Sequence, residues 1–198
     1  MSILRIRKEL LPLLYVNLAV IGVFSVLFFQ RKNYEFLIYE GVVVFFFLLI
    51  IYSDKKVQYP LDVLWGLSFW SLMHMAGGGI FIKGVKLYEM MILPLSSEYS
   101  ILRYDQVVHI IGFGVATYLM YILLRPLLDM EKITWVRLGI VVVMAGLGVG
   151  ALNEIIEFSL VVILPETGVG GYINTSLDLV ADLVGALLAL WYIKFRKI

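Results

Sequence analysis

Six apolar runs divide this chain, at residues 10–29, 36–52, 61–82, 104–124, 136–164 and 177–193. Each is long enough to cross the roughly 30 Å of hydrocarbon in a bilayer. Backbone N–H and C=O groups find no water there, so each run predicts a helix that satisfies its own hydrogen bonds. With 62% hydrophobic residues and a mean hydropathy of +0.95, the chain is too apolar for a soluble domain. The expected fold is therefore all-α: a polytopic membrane protein with about six transmembrane helices. It is expected to form a single domain over residues 1–198, integral to the cell (plasma or inner) membrane. Arg5, Arg7 and Lys8 precede the first run as they would in a signal peptide. No small-residue cleavage site follows before Gln30, so a retained anchor is expected. The longest connection, 83–103, carries an apolar stretch at 90–95 expected to dip into the interface.

The absence of cysteine excludes disulfides, thiolate metal sites and cysteine nucleophiles. A net charge of +1 gives no global attraction to nucleic acid. The distribution of basic residues is more informative. If both termini face the cytoplasm, that side holds Arg5, Arg7, Lys8, Lys55, Lys56, Arg125, Lys132, Arg137, Lys194, Arg196 and Lys197. The other side holds Arg31, Lys32, Lys83, Lys86 and Arg103. The positive-inside rule thus predicts both termini in the cytoplasm.

Within this frame the later spans carry ionisable residues at one shared depth, toward the extracytoplasmic side. They are His74; Asp105 and His109; Glu154 and Glu157; and Asp178 and Asp182. One such group costs roughly 2.5–3.5 kcal/mol in a bilayer even on a lenient scale, so a single polar site explains them economically. Asp105 with His109, and Asp178 with Asp182, are four residues apart, and Glu154 with Glu157 three apart. Each pair therefore occupies one helix face. Bundles present carboxylate and imidazole ligands to metal ions at such spacings. Imidazole with carboxylate suits zinc, manganese or iron, and a carboxylate subset suits magnesium or calcium.

A purely structural account stands beside this one. Asp105 and Asp178 begin their runs, where an acidic side chain caps free N–H groups, and Thr175 with Asp178 has capping-box spacing. His109, Glu154, Glu157 and Asp182 lie deeper, where the alternative is an inter-helix hydrogen-bond network. His74 stands alone on its run and could be a satisfied core histidine. Gly77, Gly78 and Gly79 after it either break the third span or allow close packing. Gly146, Gly148 and Gly150 mark tight packing of the fifth. Asn174-Thr175-Ser176 matches a glycosylation sequon but lies too close to span six.

The stretches Tyr104-Asp105-Gln106-Val107-Val108-His109, Asn153-Glu154-Ile155-Ile156-Glu157-Phe158 and Asn174-Thr175-Ser176-Leu177-Asp178-Leu179, with Asp182 and Gly185-Ala186, resemble the YjdF-like family of predicted inner-membrane proteins. More distantly they are similar to VanZ-like proteins, which share an Asp-x-x-x-His helix and a later Asp-bearing helix. The resemblance covers the chain from the third span onward and implies a topology and a residue set rather than an activity. Its motif positions fall on Asp105, His109, Glu154, Glu157 and Asp178. Phe158 stands where family members carry Trp, and Asp182 where VanZ-like relatives often carry Asn.

Two functions are expected from these residues. The first is a membrane-embedded, metal-dependent hydrolase or phosphotransferase, open to the extracytoplasmic side and acting on a lipid or lipid-linked headgroup. Asp105, His109, Glu154 and Asp178 would hold zinc, manganese or magnesium, with His74 or Asp182 completing the set. Glu157 would be the general base, His74 a further catalytic candidate, and Arg103 would steady an anionic headgroup. The alternative is a non-enzymatic protein that handles ions or protons, or binds lipid, around a structural polar network. Membrane lipids are the expected partners and nucleic acid is not.

Overall fold

The computed structural model describes residues 6–96 and 98–196. Among these residues six helices form: α1 (Leu11–Gln30), α2 (Tyr34–Val57), α3 (Leu61–Gly79), α4 (Tyr104–Leu124), α5 (Trp135–Ile163) and α6 (Tyr172–Arg196). Two short hairpins, β1 (Phe81–Ile82) with β2 (Val85–Lys86) and β3 (Met91–Ser96) with β4 (Ile101–Arg103), fill the connection between α3 and α4.

Local sequence explains most boundaries. Pro12 sits in the first turn of α1, where its missing N–H costs nothing. Asn33 caps α2 by accepting from Phe36 N–H at 3.2 Å. Gln58, in the left-handed conformation, ends α2. Thr134 caps α5 by accepting from Arg137 N–H at 3.4 Å, and the Arg103 N–H donates to Gln106 Oε1 at 2.7 Å as α4 begins.

Among the described residues, five helical segments are long and apolar enough to cross a membrane: Lys8–Gln30, Tyr34–Val57, Tyr104–Leu127, Trp135–Ile163 and Tyr172–Arg196. The segment α3 is less apolar, because Asp62, His74, Trp65, Trp70 and four glycines dilute its aliphatic residues. It also ends at Gly79, short of the expected 82. The stretch expected to dip into the interface is strand β3, paired antiparallel with β4. Helix α6 begins at Tyr172, five residues before the expected start. Asp178 is consequently well inside the helix, which removes the capping explanation for that residue.

The chain divides into two compact units, Met1–Leu87 and Tyr88–Ile198. In the first, α1 packs on α2 and α3, and a run of rings, Phe24 and Phe28 of α1 with Phe36 and Tyr39 of α2, joins the first two with neighbouring centroids 5.3–5.6 Å apart. The glycines after His74 do not break α3. A Cβ on Gly78 would collide with Phe36, and one on Gly79 would lie 2.7 Å from Phe24, so they serve close packing. In the second unit, α4 packs most extensively on α6, and α5 packs on both. Backbones approach closely where a Cβ on Gly185 would strike the carbonyl of Ile110. The exposed face of α6 is apolar (Val180, Leu187, Leu188, Trp191). Its packed face holds Asp178, Asp182 and small residues such as Ala181, Gly185 and Ala186, the pattern of a helix with lipid on one side and a polar core on the other.

Candidate metal centre

Helices α4 and α6 begin, and α5 ends, at one end of the second unit, which brings three pairs of ionisable residues together. Helix α4 supplies Asp105 and His109 from its first turns. Helix α5 supplies Glu154 and Glu157 from its last third, and α6 supplies Asp178 and Asp182. His109, Glu154, Asp178 and Asp182 are buried, the two aspartates completely. Asp105 and Glu157 are half-buried and form the more open side.

His109 is the hub. Its Nδ1 lies 2.9 Å from Asp182 Oδ1, and its Nε2 lies 3.9 Å from Asp105 Oδ1. An ionised carboxylate only accepts, so the hydrogen bond to Asp182 puts a ring hydrogen on Nδ1 and turns Nε2 toward the other carboxylates, where a neutral ring offers its lone pair. Two sets of potential ligands, Asp105 with His109 and Asp178, and His109 with Glu154 and Glu157, each place their donor atoms within 4.8 Å of one another. Two amides hold the acids in place. Asn174 Nδ2 donates to Asp105 Oδ2 at 3.4 Å and to Asp178 Oδ2. Asn153 Nδ2 donates to Glu157 Oε1 at 2.8 Å.

Several oxygens remain unsatisfied. Among the described residues, Asp178 Oδ1, Asp182 Oδ2 and both carboxylate oxygens of Glu154 are buried with no hydrogen-bond partner. Leaving a buried acceptor unpaired costs about 1–3 kcal/mol, and more for a charged group. Five carboxylates share this site with one imidazole, and Arg103 stands two residues before Asp105 at the end of β4. The donor set is deficient in positive charge and rich in oxygen, which fits a divalent cation. Gly150 of α5 sits against Asp182, because a Cβ there would collide with Oδ2. Below the site, residues 110–124 of α4, 138–152 of α5 and 183–193 of α6 contain no Asp, Glu, His, Lys or Arg.

The site residues expected from sequence on α4, α5 and α6 thus converge. His74 lies on α3 in the first unit, stacked on Trp70 with centroids 5.5 Å apart and flanked by Phe36 and Tyr39. It belongs to neither ligand set. The sequence reading missed Asn174 and Asn153 as site residues, although each stands four residues before an acid it contacts. Both asparagines stand in the stretches that resemble the YjdF-like family, beside its acidic motif positions.

No curated protein and no solved structure matches this chain. A family model described as a predicted membrane protein, DUF2238, matches residues 12–197, nearly the whole chain and both compact units. It agrees with the YjdF-like resemblance, since YjdF is a member of that family. The protein is therefore an integral membrane protein belonging to the DUF2238 family of predicted membrane proteins.

Proposed function

We propose that the α4–α5–α6 cluster binds a divalent cation at the extracytoplasmic face of the membrane and uses it in hydrolysis or phosphoryl transfer at a lipid or lipid-linked headgroup. The observation that carries this reading is the set of buried, unpartnered carboxylate oxygens beside a histidine already oriented by Asp182. In this reading His109 Nε2, Asp105, Glu154 and Asp178 hold the ion. Asp182 keeps His109 in the ligating tautomer, the carboxylate–histidine arrangement common behind metal-bound imidazoles. Its role thereby moves from the ligand expected in the sequence to a positioning group.

A bound divalent ion supplies a Lewis acid and lowers the pKa of a water molecule. The chain's own groups do the rest. Glu157, half-buried and steadied by Asn153, is placed to accept a proton. Arg103, beside the open Asp105, is placed to attract an anionic headgroup. The apolar remainder of α4–α6 argues against a continuous ion path, which needs polar groups through both leaflets. The extracytoplasmic placement rests on the distribution of basic residues.

The test is element-resolved metal analysis of detergent-purified protein, wild type beside His109→Ala and Glu154→Ala. Near-stoichiometric zinc, manganese or magnesium, lost in both folded variants, is the expected result and justifies assays on lipid phosphates. No metal in the wild type after incubation with each ion would overturn the metal reading in favour of a proton-sharing or structural carboxylate network.

A further inference from the structure

The first unit contains a cavity of about 410 Å³ between α1, α2 and α3, within the range of small-molecule sites. Its walls are largely aliphatic and aromatic, with Leu14, Val43, Phe47 and Leu67 among them. From Leu10 to Ile21 on α1 it extends about 16 Å at 1.5 Å per residue, so it is a groove along the helices rather than a round chamber. One end is polar. Arg7, Asp54, Lys55 and Gln58 line it there, and Lys8 and Lys56 adjoin it in sequence.

The charges at that end are not equivalent. Arg7 is fully engaged: Nε and Nη2 donate to Asp54 at 2.8 and 2.7 Å, Nη2 also to the Tyr59 carbonyl at 2.8 Å, and Nη1 to Glu9 at 2.8 Å. That network holds one cation against two carboxylates and so carries a net charge of −1, which Lys8, Lys55 and Lys56 bring to +2 at this end. Lys55 is exposed and makes no ion pair among the described residues, so with Lys8 and Lys56 beside it in sequence it supplies positive charge at the mouth of an apolar channel. By the positive-inside pattern this end faces the cytoplasmic leaflet, where anionic lipids concentrate and basic pockets between helices hold their headgroups.

We propose that this groove is a binding site for an anionic phospholipid of the cytoplasmic leaflet. One acyl chain lies along Leu14, Val43, Phe47 and Leu67, and the headgroup phosphate meets Lys55. The occupant follows from charge complementarity at one end and apolar length along the rest. It is independent of the metal centre, which lies in the other unit.

The test is native mass spectrometry of the full chain in detergent, titrated with phosphatidylglycerol or with phosphatidylcholine of the same acyl chains. The expected wild-type result is roughly fivefold tighter binding of phosphatidylglycerol, about the effect of one membrane-surface lysine. Lys55→Glu should erase that preference, and Val43→Trp, which fills the groove, should remove binding of both lipids. Leu14→Trp fills it from the opposite wall and replaces Val43→Trp if that variant does not fold. Equal wild-type binding of the two lipids overturns the headgroup assignment. Undiminished binding in a folded groove-filling variant overturns the site.

Discussion

His109 Nδ1 lies 2.9 Å from Asp182 Oδ1, although the two residues are 73 positions apart in the chain. The contact joins α4 to α6 at their buried face and fixes which ring nitrogen faces Asp105, Asp178, Glu154 and Glu157. Asp182→Asn should therefore weaken divalent-ion binding about 10- to 100-fold, the usual effect of removing a group that orients a ligand. Metal titration checks the affinity. Nitrogen NMR of the His109 ring checks the cause, because a merely structural Asp182 would leave the tautomer unchanged.

Ligand binding to the folded state alone raises stability by about 2.7 kcal/mol at one hundred times Kd. Thermal unfolding of the purified protein should accordingly shift upward on adding the bound ion and downward with a chelator. In Glu154→Gln that shift should shrink or vanish. A wild-type midpoint indifferent to both treatments would count against a metal.

The glycines of α5 should separate packing from ligand placement. A Cβ at Gly146 collides with Thr117 Oγ1, and one at Gly150 with Asp182 Oδ2. Overpacking of this kind costs about 1–3 kcal/mol, so both Gly146→Ala and Gly150→Ala should lower the unfolding midpoint. Only Gly150→Ala should also weaken metal binding, since it displaces the carboxylate that orients His109. Comparing the two affinities makes the distinction.

Arg7 ties the start of α1 to the end of α2 through two hydrogen bonds to Asp54, which also accepts from Tyr59 N–H at 3.0 Å. Arg7→Ala should cost about 1–3 kcal/mol, because it strips donors from a buried carboxylate. The Asp54 hydrogen bonds, the largest influence, hold the Arg7 guanidinium above its ordinary pKa, with burial opposing them. For a base whose folded pKa is raised, the stabilisation is complete below the ordinary value and lost only as pH rises through the folded one. The stability difference between wild type and Arg7→Ala should thus stay flat from about pH 7 to 10. Denaturation at several pH values measures it.

Much of this architecture was legible because membrane helices leave strong sequence marks. Hydrocarbon tolerates only internally bonded backbone, so apolar run length predicted the helices, and residues 104–124 are the bounds of α4 itself. Helical periodicity likewise showed that Asp105 shares a face with His109, and Asp178 with Asp182. Tertiary structure decided what periodicity cannot encode: which acid takes each nitrogen of His109, which amides brace the others, and which oxygens remain unpartnered. It also placed His74 among the rings of Trp70, Phe36 and Tyr39, in a different unit from the acids it had been grouped with. The physical reason is range. Helix formation and the sharing of a face depend on residues within one turn, whereas pairing across helices depends on how glycines such as Gly150 and Gly185 let separate segments approach.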